Sequence, residues 1–195
     1  MARVKSAMEI ALEKAAGLKV DPRQIIEMEI EKKSGLLCNQ LLEPGDLNLK
    51  SYLDGLQPED KTLLLSKTED LLLRYISLNT NYNTDLILQV FQGLKKIKDK
   101  PGKLDAIYQD VHYLLNTYSD QLKKVYENLK IQFREQASQM QEQLGRQMGM
   151  DVDIDVSQYP EFQKYWAETK KQIETQLSVH LDQLLRSIKS LKNLY

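Results

Sequence analysis

The chain contains a single cysteine, Cys38, among 195 residues. That excludes an intramolecular disulfide framework and fits a reducing compartment, so the cytoplasm is the expected setting. Glycine and proline are scarce, at eight and five, and β-branched residues are scattered, so strand signals are weak throughout. Neither sign of charge dominates: 27 Lys and Arg stand against 28 Asp and Glu, and the balance is even on both sides of Pro101. No half of the chain offers an electrostatic footprint for nucleic acid or anionic lipid. No uncharged stretch approaches the ~20 residues of a membrane span. Behind Arg3 and Lys5, the charges of Glu9, Glu13 and Lys14 interrupt what a signal peptide would need as its apolar region.

Chemistry is equally thin. There are two histidines, His112 and His180, and neither has the Glu-x-x-His spacing that helical carboxylate metal sites use. Gly-rich phosphate loops and Gly-x-Ser-x-Gly elbows are absent. Asp151, Asp153 and Asp155 resemble the start of a calcium loop. However, the sixth position is Val156 where a sharp turn needs glycine, and the twelfth is Phe162 where a bidentate glutamate belongs. Cys38 sits among Leu36, Leu37, Leu41 and Leu42, the surroundings of a buried apolar residue and not of a nucleophile. The expectation is therefore no catalytic residue, no cofactor and no metal.

What the sequence does contain is helix. The fold class it points to is all-α, with a bundle of short helices over residues 1–100 and a long antiparallel, coiled-coil-like hairpin over 103–195. A first short helix is expected over Ala2–Ala16, with Val4, Met8, Ala11 and Ala15 on one face and Gly17 as its stop. Asp21-Pro22 opens a second, running to Leu42 unless Gly35 interrupts it. Asp46 caps a short one ending near Gly55. Pro58 starts another that continues to about Leu78. Asn83 or Thr84 caps a helix presenting Ile87, Val90, Phe91, Leu94 and Ile97, stopped by Pro101-Gly102. Its closing cluster of Lys95, Lys96, Lys98 and Lys100 suits the exposed carbonyls of a helix end.

Residues 103–147 contain no proline and only Gly145, so one helix of ~65–70 Å is expected at 1.5 Å per residue. Val111, Leu115, Tyr118, Leu122, Val125 and Leu129 alternate by four and three, as a heptad seam does. The spacing then lengthens through Phe133, Ala137, Met140, Leu144 and Met148. A return helix over 160–195 repeats a four-three-four spacing through Phe162, Trp166, Thr169, Ile173, Leu177, His180, Leu184, Ile188, Leu191 and Tyr195. Placing Met148 opposite Pro160 sets Trp166 near Glu142 and His180 near Asn128, with the first turns of the long helix left for the bundle. His180 is then a polar seam residue that fixes register, and His112 belongs to an aromatic belt with Tyr108, Tyr113 and Tyr118.

Function is expected to reside in surfaces. The stretch from Gln132 to Met150 combines glutamines, including Gln143 and Gln147, with Met140, Met148 and Met150. Such residues suit the acceptance of another helix, or else the methionines complete the hairpin seam. Tyr126, Ile131, Tyr165, Leu181 and Leu185 flank the seams and ask for cover. The leading expectation is a non-enzymatic interaction or scaffold protein that binds itself, as a homodimer or larger assembly, or another helical protein through these residues. In glutamine content and expected shape the C-terminal half resembles small bacterial secretion and flagellar export chaperones, without a shared motif. That resemblance implies a second reading, a chaperone or adaptor sequestering a client helix. A helical-bundle enzyme lined by His112, tyrosines and acids is the third.

Overall fold

The computed structural model describes residues 22–45, 47–79, 82–148 and 155–195, with the backbone alone at Pro22 and over 136–148. Six α-helices are present among them: α1 (Pro22–Leu42), α2 (Leu49–Leu53), α3 (Pro58–Leu73), α4 (Thr84–Ile97), α5 (Lys103–Met148) and α6 (Pro160–Ser190), with a short 3₁₀ turn at Val156–Gln158. No strand occurs among the described residues, so the class is all-α. The expected first helix, Ala2–Ala16, the cap at Asp46 and the acidic run at 151–154 lie outside the described residues.

Local sequence explains the element boundaries. Pro58 occupies the first turn of α3, where its missing N–H is one of the helix's unpaired donors in any case. Asn83 caps α4, its side-chain oxygen accepting from the amides of Asp85 at 2.9 Å and Leu86 at 3.2 Å. Gly55, with φ of +78°, lets the chain turn after α2. Gly35 does not interrupt α1. The third helix stops at Leu73, five residues short of the expected Leu78. Its last turn tightens instead, with Tyr75 donating to Leu72 and Ile76 to Leu73.

Helices α1, α3 and α4 pack against one another, α4 rests on α5, and α5 pairs with α6. On α1 the inward stripe is Ile30, Ser34, Leu37, Cys38 and Leu41, all buried, at the three-and-four spacing of one helix face. The five apolar residues expected to face inward on α4 are all buried. At Gly93, α4 approaches α1 closely: a Cβ there would fall 3.1 Å from Leu41 Cβ and 3.3 Å from its carbonyl oxygen. The core continues without a break into the long helices through Leu104, Val111, Leu115, Leu181 and Ile188.

The register of the long pair differs from the expected one. Tyr118 donates to Glu174 at 2.8 Å, and the ring of Tyr126 meets those of Phe162 at 5.5 Å and Trp166 at 5.1 Å. Trp166 therefore lies opposite Tyr126 and not Glu142. The return helix pairs with the base and middle of α5 and begins at Pro160 short of the helix's distal end at Met148, where the expected register had set it. Burial explains the choice: this register sets the aliphatic end of α6, Leu181 and Ile188, into the bundle core, and matches its aromatic end with Tyr126 and Phe133. The expected register would have placed Trp166 against a carboxylate.

The seam of α6 also departs from the expected repeat. Leu181 is buried and His180 is exposed, so the stripe steps from Leu177 to Leu181 and rotates toward the side on which the bundle lies. Leucine gains more from that cover than an imidazole does. Finally, α6 ends at Ser190 and not Tyr195. Residues 191–195 leave the helix and run antiparallel to 97–99, with Asp99 N donating to Lys192 O at 3.1 Å and Leu194 N to Ile97 O at 2.9 Å.

Candidate interaction surface

The distal half of the α5–α6 pair is held by aromatic rings. Phe162, 1% exposed, sits between Tyr126 and Phe133, whose ring centre is 5.4 Å away and nearly perpendicular, the edge-to-face geometry that ring quadrupoles favour. Trp166 closes the cluster on Tyr126, and the Lys130 ammonium lies 5.3 Å over the Tyr126 ring. At its margin Asp155 accepts from Ser157 N at 3.0 Å. Hydrogen bonds from Ser157 hold its carboxyl below the usual carboxylate range. Further toward the base, Tyr118 is buried and bonded to Glu174. Burial first, and then that carboxylate, push its hydroxyl above the ordinary tyrosine value.

Of the residues expected to bind a partner, Tyr165 is 55% exposed and stands at 6.0 Å from the Phe133 ring. Leu181 is 6% exposed and belongs to the core, and Leu185 is half-buried against it, so the bundle itself supplies the cover they called for. Their place on the side facing α3 and α4 explains this, and neither is available as expected. Tyr126 is likewise occupied within the aromatic cluster, while Ile131 remains 53% exposed. Met140, Gln143, Gln147 and Met148 lie on the helical backbone of α5 with their side chains outside the described residues, and Met150 lies outside them altogether.

Two polar groupings are built into the junction of bundle and hairpin. Lys98, with a side chain 0% exposed, donates to Glu69 Oε1 at 2.7 Å and to the Leu191 carbonyl at 2.7 Å. It ties α3, the end of α4 and the chain leaving α6 into one knot. The expected role for the lysine cluster was a solvated helix end, and Lys98 departs from it. Its spacing from Leu94, four residues on and beside Ile97, was the available signal that it shares their inward face. Lys95 bonds Asp105, and Lys96 donates to the Gly45 carbonyl at 3.0 Å.

The second grouping surrounds His112. The Tyr82 hydroxyl donates to Asn116 Oδ1, and Asn116 Nδ2 lies 3.1 Å from His112 Nδ1. Tyr82 and Tyr108 rings flank the imidazole at 6.5 and 6.0 Å. The aromatic belt thus recruits Tyr82 from the α3–α4 connection, while Tyr113 points to solvent at 74% exposure. Cys38 is buried, which raises its thiol above the ordinary value.

Surface depressions are open. One of about 490 Å³ lies where α1 ends beside α4, bordered by Leu41, Pro44, Asp85, Leu88 and Lys96. Another of about 390 Å³ runs between α1 and α3 past Ser34, Lys67 and Arg74. No set of three metal-ligating side chains converges among the described residues, and no helix there is long and apolar enough to cross a membrane.

Residues 50–190 match a family of unknown function, DUF6657, and the chain belongs to that family. No curated protein and no solved structure matches it. The matched span takes in α3 to α6 with the His112 grouping and the Lys98–Glu69 pair, and leaves out α1 and Leu191.

Proposed function

We propose that this member of the family is a non-enzymatic scaffold, working in the cytoplasm, that presents its long helical pair for self-association or for docking a helical partner. The observation that carries the reading is the register. With Phe162 set between Tyr126 and Phe133, α5 continues to Met148, and its last fifteen residues extend about 22 Å past the start of α6 at 1.5 Å per residue. A helix end of that length beyond the start of α6, rich in glutamine and methionine, gains from packing on another helix.

The base is correspondingly rigid. A continuous core and the Lys98 knot fix the pair's orientation on the bundle, which suits a surface held ready for a partner. The same features accommodate the chaperone reading, in which the projecting end takes up a client helix. Native affinity purification with mass measurement of every retained component tests both. Copies of the chain or a stoichiometric helical protein should be retained, and should be lost when Met140 and Met148 are both changed to Glu. A chain recovered as an unaccompanied monomer would refute the proposal.

A further inference from the structure

We infer that the segment preceding α1, the expected helix Ala2–Ala16, folds back as an antiparallel helix on the outer face of α1. The first two turns of α1 call for such cover. Every residue from Arg23 to Glu29 is exposed, and three of them are large and apolar: Ile25 at 47%, Ile26 at 37% and Met28 at 59%. Leu36, 60% exposed, continues the side of Ile25 further along the helix. The buried stripe from Ile30 to Leu41 points the other way, into α3 and α4. Glu29 and Lys32 share the outer side, and their stems are long enough to lie beside an apolar contact with the charged ends in water.

The chain that joins α1 at this patch has the pattern to cover it. Asp21 and Gln24 have the spacing of a capping box, and Val20 and Ile25 that of a hydrophobic staple, in which the residue before the cap packs on the fourth helical residue and sets the angle at which the chain enters. Gly17 to Asp21 make a connection of five residues, a length that joins antiparallel helices. The fifteen residues of Ala2–Ala16 span about 22 Å as a helix, as do Pro22 to Leu36, the stretch of α1 that shows the exposed apolar residues. With Leu12 set level with Ile25, Met8 falls beside Met28 and Glu29, and Val4 beside Lys32 and Lys33. Val4 and Met8 share their face with Ala11 and Ala15, whose small side chains allow close approach near the turn.

The size of the patch selects a tethered occupant over a second copy. About 22 Å of one helix at a width of ~10 Å presents roughly 220 Å², far below the ~800 Å² per partner of a stable dimer. A segment attached through a short connection needs much less, because the attachment holds it at an effective concentration in the millimolar range. The bundle is then closed by its own chain.

Hydrogen exchange and disulfide mapping on the full chain provide the test. Amides of residues 6–16 should exchange about tenfold or more slowly than in Met8→Glu with Leu12→Glu, and Ile25→Glu with Met28→Glu, on the opposing helix, should release them equally. Met8→Cys with Met28→Cys should link within one chain, the native thiol of Cys38 being buried. Glu13→Cys with Met28→Cys should not, because Glu13 lies on the far side of the segment's helical pattern. The unaltered chain and the cysteine variants introduce no charge into the contact, so they decide the matter even where a glutamate variant misfolds. Amides that exchange freely in the unaltered chain overturn the proposal, as does protection without the Met8–Met28 link or a link formed as readily through Glu13→Cys. A Met8–Met28 link between two chains overturns it as well and assigns the face to a second copy.

Discussion

Replacing Lys98 by methionine keeps the length and most of the volume of the side chain while removing its charge and its donors. The Glu69 carboxylate, 7% exposed, then loses its cation, and the Leu191 carbonyl loses a 2.7 Å hydrogen bond. Removing one member of a buried pair costs about 3–5 kcal/mol, because the remaining charge stays desolvated. For a chain of this size 1 kcal/mol corresponds to roughly 2–4 °C in melting temperature, so Lys98→Met should melt about 10 °C lower by calorimetry or circular dichroism. Pairing it with Glu69→Leu removes the stranded carboxylate. The double variant should recover at least ~2 kcal/mol of the loss, as two side chains in direct contact do not act additively. Hydrogen exchange gives the local counterpart: the amides of Asp99 and Leu194, which tie the tail to the α4–α5 junction, should lose protection in Lys98→Met. A melting shift below about 2 °C, or strictly additive single and double variants, would show that the pair is not the knot described.

The register can be checked directly by disulfide formation: Tyr126→Cys with Trp166→Cys should cross-link within one chain, and Glu142→Cys with Trp166→Cys should not. Phe162→Ala should cost about 3–5 kcal/mol in denaturant unfolding, because it empties a fully buried site between two rings. Tyr118 has a pH signature. Its hydroxyl is raised in the folded state, so above the ordinary value of about 10 the unfolded chain releases a proton that the folded chain retains. Its contribution is fully present below that pH and is lost as pH rises above it. The fall in stability between pH 9 and 11 should be shallower in Tyr118→Phe; an equally steep fall would locate the titration elsewhere. Gly93→Ala should gain about 1 kcal/mol in helix propensity against ~2–3 kcal/mol of overpacking, a net destabilisation of ~1–2 kcal/mol. Its methyl meets Leu41 backbone as well as side chain, and a net gain in melting temperature would mean that α1 and α4 separate easily.

Much of this architecture was legible from local chemistry. Asn83, Pro58 and the inward stripe of α4 follow from capping and from a three-to-four spacing that any half-buried helix shows. The all-α class and the two long helices rest on the same rules, which depend only on neighbours within a turn or two. The site was less legible. Leu181 and Leu185 lie next to an apolar seam in sequence, but whether they face solvent depends on where α3 and α4 sit. Tyr82 reaches His112 only because the α3–α4 connection passes α5.

The sequence by itself determined where the described helices form, the Asn83 cap and the apolar face of α4, since each is decided by the energetics of one turn against the next. Tertiary structure alone decided the register of α5 against α6, the exposure of His180 and the burial of Lys98. A heptad-like stripe buries nearly equal area when slid by one or two repeats, so spacing cannot choose among offsets. The choice falls to contacts made outside the pair: the bundle core that takes in Leu181 and Ile188, and the Lys98 knot that holds the chain where α6 ends. With that offset chosen, the distal end of α5 extends beyond the start of α6.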